Sequence, residues 1–301
     1  MENILLHLKK ALAIFFGLYF MILAVGQKVT PIEPLDKENL QLDVTVMSDI
    51  HMEGNVFKKH VMIPKCFTEL KGGKKYIDAV AMVGDNSICA QDIENMFFFG
   101  VLNNVNPIKP YFPAVGNHDI GCGDPQFGTF EELRERQIGY FNLFVDKNIN
   151  ELYYSEVVNG YRLIFMGPDA PEEQVRTLSD KQLDWFEAEL DKAAETGLPV
   201  FVFNHHPYQV IGQGYDRYVS LLNKYDNIFV IVGHAHYAPQ YDTVTGDKGT
   251  PQIWVPSLTC NNDDINGTGY QMEVYKDKVV FRQFNYLEGG FTGLEYPFSI
   301  K

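Results

Sequence analysis

Five times along this chain a short run of aliphatic, β-branched or aromatic residues gives way at once to a cluster of polar ones. Val44-Thr45-Val46-Met47 leads into Ser48-Asp49-Ile50-His51, and Ala79-Val80-Ala81-Met82-Val83 into Gly84-Asp85-Asn86. Tyr111-Phe112-Pro113-Ala114-Val115 leads into Gly116-Asn117-His118-Asp119, Val200-Phe201-Val202-Phe203 into Asn204-His205-His206-Pro207, and Ile228-Phe229-Val230-Ile231-Val232 into Gly233-His234-Ala235-His236. Short, uniformly apolar runs are how strands buried on both faces read. Between them the period turns helical. From Ser179 to about Glu195 the residues Leu183, Phe186, Leu190 and Ala194 form an apolar stripe behind a capping box of Ser179 and Gln182. Thr129 to Glu132 reads as another helix start, and 88–104 as a helix after the second cluster. Alternating strands and helices predict an α/β fold, and late strands at 253–255, 270–275 and 279–284 are expected to complete a second sheet.

In open α/β sheets ligands bind beyond the carboxyl ends of the strands, so the polar clusters are placed to converge on one crevice. Gly84, Gly116 and Gly233 precede the polar residue in three of them, which lets the chain turn and a ligand approach. Pooled, Asp49, His51, Asp85, Asn117, His205, His234 and His236 offer carboxylate, amide and imidazole donors and no thiolate, a set suited to borderline transition metals. That is more than one tetrahedral ion takes, and a carboxylate such as Asp85 can bridge two ions through its two oxygens.

Asp49-x-His51, Gly84-Asp85, Gly116-Asn117-His118-Asp119, His205 and Gly233-His234-x-His236 resemble, in order, the signature of calcineurin-like metallophosphoesterases, over about residues 41–240. The resemblance implies two mixed β-sheets packed as a sandwich between helices, four layers in all. It implies that Asp49, His51 and His236 bind one ion, that Asn117, His205 and His234 bind the other, and that Asp85 bridges them. His118 would stay off the metals and donate a proton to the leaving oxygen, with Asp119 orienting it. The cofactors would be two ions drawn from iron, manganese, zinc or cobalt, which together lower the pKa of a shared water, neutralise phosphoryl oxygens and hold an ester for in-line attack.

Departures from the family's branches narrow the choice. Purple acid phosphatases carry a tyrosine three residues after the bridging aspartate and no histidine in the first motif; here Ile88 and His51 stand at those places. Secreted nucleotidases append a large substrate domain, whereas about 60 residues follow His236, so the chain resembles the compact phosphodiesterase and phosphatase branch. The expected substrate is a small phosphorylated molecule, with mono- and diester alternatives open. The rival reading is a non-catalytic protein-binding module on the same scaffold.

The first 26 residues stand apart. Lys9 and Lys10 precede an apolar run from Ala11 to Gly26 that ends in small residues, the pattern of a signal peptide, with an uncleaved anchor as the alternative. The expectation is one domain over residues 27–301, secreted or periplasmic, with membrane contact only if that segment stays attached. A net charge of −14 without a dense basic cluster makes duplex nucleic acid a poor candidate partner, because sequence-independent affinity needs clustered cations. Cys66, Cys89, Cys122 and Cys260 form no CxxC pair; in an oxidising compartment they admit three pairings, of which Cys89–Cys122 is preferred. His206 reads as facing either the ligands' outer side or the substrate, and His60 as a surface residue. The glycine-rich stretch 120–128 reads as a lid, while 208–215 and 261–264 follow strand ends and could contact substrate. Asn266-Gly267-Thr268 is a glycosylation sequon.

Overall fold

The computed structural model describes the chain apart from residues 1, 146, 172, 173 and 261–265, and the side chains of 2–6. The five apolar runs are strands: β1 (Leu42–Met47), β2 (Ala79–Met82), β3 (Tyr111–Pro113), β6 (Val200–Phe203) and β7 (Ile228–Val232), with β4 (Tyr154–Val158) and β5 (Tyr161–Phe165) between the third and fourth. After them come β8 (Gln240–Thr243), β9 (Pro251–Trp254), β10 (Thr268–Val274), β11 (Lys278–Asn285) and β12 (Phe291–Ser299). They form two six-stranded mixed sheets, β12-β11-β10-β1-β2-β3 and β4-β5-β6-β7-β9-β8. Within the first sheet β1, β2 and β3 run parallel, and within the second β5, β6, β7 and β9 do. Of the three late runs expected to complete a second sheet, β9 alone joins it, with β8 as its edge partner. β10 and β11 instead extend the first, with Val44 opposite Met272, because the edge of β1 not used by β2 must also find hydrogen-bond partners.

Side-chain alternation builds the layers. Phe201, Phe203, Phe229 and Ile231 point into the core shared with Val44, Val46 and Met272, while Val200, Val202, Ile228, Val230 and Val232 point the other way, onto helices. Those helices are α5 (Asp180–Ala194) and α6 (Tyr215–Lys224), which supply Leu183, Phe186, Leu190, Leu221 and Leu222. Ala193 rather than Ala194 completes the buried stripe of α5. Only half the expected capping box forms: Ser179 Oγ accepts from the Gln182 backbone N–H, but the Gln182 amide donates to the Gly167 carbonyl and to Asp169. α2 (Phe57–Glu69), α3 (Asp92–Asn104) and α4 (Phe130–Phe144) add their apolar faces to the core around the first sheet. α4 starts at the predicted point, with a reciprocal capping box between Thr129 and Glu132.

The N-terminal segment is a helix, α1 (Glu2–Leu23), laid along α3. Small residues allow the contact: a Cβ added at Gly100 would come within 2.9 Å of the Ala13 carbonyl. Phe20 is fully buried, and with Tyr19 and Phe97 it meets the His60 ring edge-on. His60 is therefore a core residue, its Nε2 bonded to the Glu53 carbonyl at 2.7 Å, and not the surface residue expected from its polar neighbours. The opposite face of α1 exposes Ile14, Phe15, Leu18 and Ile22, and Val25 in the turn that follows is exposed too. Among the described residues no helix is long and apolar enough to cross a membrane.

The expected Cys89–Cys122 disulfide is absent; all four thiols are free. Cys66 is sealed in the core, Cys122 Sγ takes a contact from the Asn117 amide at 3.5 Å, and Cys260 lies 3.8 Å from the Lys59 ammonium. Asn266 of the sequon is 6% exposed, so it presents no acceptor surface for a glycan.

One buried carboxylate carries a stability prediction. Asp43 lies in β1 directly across from Glu273 of β10, is 1% exposed, and neither of its oxygens has a hydrogen-bond partner. Burial, then repulsion from Glu273 and Asp78, holds its pKa well above the carboxylate range. An acid with a raised folded pKa keeps a proton that the unfolded chain releases, so its stability cost grows as pH climbs from about 4 through the raised value. Asp43→Asn should stabilise the chain by about 1 kcal/mol or more at pH 8 and by little at pH 4. Thermal unfolding at the two pH values checks this, and an equal shift at both contradicts it.

Candidate metal centre

The polar clusters emerge where β1, β2 and β3 of one sheet and β6 and β7 of the other end on the same side, so the crevice is shared between sheets. The β1–β2 pairing runs on past the strands: Asp49 N–H donates to the Gly84 carbonyl and His51 N–H to that of Asp85. This holds Asp49, His51 and Asp85 in register while their backbones turn. All three have positive φ, 50°, 45° and 52°, and so do His234 at 67° and His236 at 52°. Such values are uncommon for residues with a Cβ and persist only where surrounding structure enforces them.

Two glycines make room for the carboxylates. A Cβ at Gly116 would lie 2.1 Å from Asp85 Oδ1, and one at Gly233 would lie 2.5 Å from Asp49 Oδ2. The same oxygens are bonded from the backbone, Asp85 Oδ1 by His118 N–H at 2.9 Å and Asp49 Oδ2 by His234 N–H at 3.2 Å. Ser48 Oγ donates to Asp49 Oδ2 at 2.5 Å. One oxygen of each carboxylate is thus anchored, leaving Asp49 Oδ1 and Asp85 Oδ2 to face the crevice.

Around those free oxygens the imidazoles gather. Asp49 Oδ1 lies 3.0 Å from His236 Nε2, which lies 3.0 Å from His51 Nε2. Asp85 Oδ2 lies 3.1 Å from His205 Nε2, 3.8 Å from His51 Nε2 and 4.0 Å from His118 Nε2. The His205 Nδ1–H donates to the Val83 carbonyl at 2.9 Å, which turns Nε2 inward; that buried nitrogen has no hydrogen bond of proper geometry. His234 Nδ1 and Asn117 Oδ1 meet at 3.1 Å. Three overlapping groups each bring ligand atoms within 4.8 Å of one another: Asp49, His51 and His236; His51, Asp85 and His118; Asp49, Asp85 and His205. Converging lone pairs and an orphaned imidazole nitrogen are what a cation would satisfy, so the residues present fit a metal centre.

The charges point the same way. Burial works against both carboxylates, yet His205, His236 and His51 hold Asp49 well below its usual range, and His205 with His51 pulls Asp85 down too. Burial also opposes charge on His205, but Asp85 and Asp49 prevail and raise it to about 9. Burial, then the His205 imidazolium, pushes His234 down to about 4. A proton on His205 thus offsets the carboxylates that face it.

His118, the predicted acid, is partly exposed at the rim, with Nδ1–H donating to the Ile88 carbonyl at 2.7 Å. Asp119 does not orient its ring. One Asp119 oxygen accepts from Ser87 N–H and Oγ, the other from Gly116 N–H and the Asn86 amide, so it ties the β2 and β3 loops together. His206 is fully buried, its ring centroid 4.1 Å from that of His234 and tilted by 32°, with Nδ1 accepting from Arg176 at 3.3–3.4 Å. It packs against His234 from inside the fold. Arg176, completely buried and also bonded to the Val115 carbonyl, is a residue that reading the sequence missed; a single arginine in a loop carries no pattern. In the stretch 120–128 expected to be a lid, Ile120 and Gly121 are buried while Gly123, Pro125 and Gln126 are exposed. The stretch after His206 does line a cavity beside His234, through Pro207, Gln209 and Val210, whereas 261–264 lies outside the described residues.

Comparison with known proteins places this arrangement. A family model described as calcineurin-like phosphoesterase matches residues 42–238, and the chain belongs to that family. A curated relative, a probable cyclic nucleotide phosphodiesterase of Rhodococcus erythropolis, is 28% identical over 161 residues, 51% of this chain and 47% of the relative. The chain thus spans about half the length of that relative. Among solved structures, the purple acid phosphatase PPD1 of yellow lupin superposes with a TM-score of 0.59 at 14% identity, over 86% of this chain and 53% of that one, a likeness of fold.

Proposed function

We propose that this chain hydrolyses phosphate esters of a small molecule, diesters included, at a dinuclear metal centre. The observation that carries the reading is the pair of inward carboxylate oxygens, Asp49 Oδ1 and Asp85 Oδ2, ringed by the imidazoles of His51, His205 and His236, with His118 at the rim. Asp49, His51 and His236 would hold one ion, Asn117, His205 and His234 the other, and Asp85 would serve both. Bound there, divalent or trivalent cations drawn from iron, manganese, zinc or cobalt supply Lewis acidity toward phosphoryl oxygens and a nucleophilic water at neutral pH.

The chain's own residues do the rest. Loop glycines and backbone N–H donors fix the carboxylates before any ligand arrives, so little is reorganised on binding. The bond from His118 Nδ1 to Ile88 turns Nε2 toward Asp85, where a protonated ring can donate to the departing oxygen of an ester. The curated relative's description as a cyclic nucleotide phosphodiesterase supports a diester substrate. The basic-then-apolar start of the chain supports a folded body outside the cytoplasm. Retention of His118 and of the whole ligand set speaks against a purely structural binding module. Full-length protein reconstituted with each metal should hydrolyse bis(p-nitrophenyl) phosphate; protein loaded with each metal and inert toward both nitrophenyl mono- and diesters would overturn the proposal.

A further inference from the structure

His234 opens onto a cavity of about 640 Å³ whose other lining residues lie outside the ligand set. Its floor is the second sheet's far edge: Trp254 ends β9, and Gln240 and Asp242 belong to β8. Tyr237, directly after the His234-x-His236 motif, is 55% exposed, its ring 5.4 Å from that of Trp254 at 33°. Both rings line the cavity, Tyr237 as the exposed face of an aromatic ledge and Trp254 as the buried ring packed against it.

Opposite the apolar ledge stands a fixed polar edge. Gln252, fully buried, accepts Tyr208 N–H at 2.9 Å and donates from its amide to Gln209 Oε1 at 3.0 Å and to Asp242 Oδ1 at 2.9 Å. Gln209 in turn donates to Asp242 Oδ2 at 2.5 Å. This closed set of bonds pins one carboxylate and one amide at the cavity wall. Each Asp242 oxygen keeps a further lone pair, and the Gln209 amide keeps a second N–H, so a donor and an acceptor stand side by side. Among the described residues the lining contains neither Lys nor Arg. A second phosphate or a sulfate would find no counter-charge there and would meet Asp242.

An aromatic ledge, an adjacent donor and acceptor, and no cation describe a receptor for a neutral planar heterocycle with a polar edge. We infer that the cavity is a nucleobase subsite: a base stacks on Tyr237 and Trp254, its edge pairs with Gln209 and Asp242, and the attached phosphate ester reaches the centre past His234. The volume falls within the roughly 300–1,000 Å³ of small-ligand sites. This rests on the phosphoesterase reading for the phosphate and on the cavity alone for the base, and it names the substrate class as esters of nucleoside monophosphates without further phosphates on the base side.

The test uses the full-length, metal-reconstituted protein and two diesters that differ only in the base, a 3′,5′-cyclic nucleotide and the cyclic phosphate of methyl riboside. The native chain should favour the nucleotide by about tenfold or more in kcat/KM, carried by KM, since stacking on an aromatic is worth that much. Tyr237→Ala and Gln209→Ala should each bring the ratio within about twofold of unity, and calorimetry should show free nucleosides binding the native chain and not these variants. Equal kcat/KM for the two diesters in the native chain, or an undiminished preference in both variants, overturns the subsite. If no ester of any kind turns over while nucleosides still bind in a Tyr237-dependent way, the subsite stands and the phosphoesterase reading falls.

Discussion

Asp85→Asn is expected to cut turnover at least about a hundredfold and to weaken both ions together. Outer groups that merely orient a ligand already cost 10- to 100-fold in metal affinity or activity, and in the proposed centre Asp85 would serve both ions directly. A second readout separates this from simple misfolding. Against the cost of burial, Asp85 and then Asp49 hold the His205 imidazolium up to about pH 9 in the ion-free chain, so ion uptake at neutral pH expels a proton. Sign follows directly: a raised histidine pKa contributes stability to the ion-free fold below about 6.5 that is lost on the way to about 9, and apparent metal affinity climbs over the same span. With the Asp85 charge removed, that climb should shrink and shift to lower pH. Elemental analysis and metal titrations at pH 6.5, 7.5 and 9 check both parts. Full two-ion occupancy in Asp85→Asn would show that this carboxylate is not shared.

The second large effect belongs to His118. Its ring is held by the Ile88 carbonyl, not by any metal-facing carboxylate, so His118→Ala should leave ion content intact. Turnover of esters with alkyl leaving groups should drop about 10²- to 10⁴-fold, the usual contribution of a general acid, because an alkoxide cannot leave without a proton. Nitrophenyl esters, whose leaving group departs as a stable anion, should lose far less. Comparing kcat on paired alkyl and aryl diesters decides the matter; equal losses on both would remove the acid role.

Much of this site is legible in the sequence for a physical reason. Strands buried on both faces must be apolar throughout, so the first polar residue after each run marks where the chain leaves the core, and β1, β2, β3, β6 and β7 all announce their ends this way. The polar cluster is therefore located by the same signal that locates the strand. What escapes notice is whatever depends on distant pairing. β10 binds β1 more than two hundred residues away, and nothing local in either says so. His60 looks solvated until α1 closes over it, and α1 has the composition of a leader. Arg176 and His206 support the ligands through contacts between a loop and a strand end. Asp119 bears the family's motif position, yet the loops around it claim every bond its carboxylate makes. Gln209 falls in a stretch the sequence marks as following a strand end, but Tyr237 and Asp242 beside it are ordinary residues until the second sheet brings them together.

The left-handed backbone at Asp49, His51, Asp85, His234 and His236 has a consequence for anyone wishing to transplant this chemistry. Copying the side chains onto a relaxed scaffold would deliver the right elements pointing the wrong way, since each would slide to a comfortable dihedral. The portable unit is the pair of abutting sheet ends with Gly84, Gly116 and Gly233 attached, a jig whose rigidity, more than its list of donors, chooses where a cation can sit.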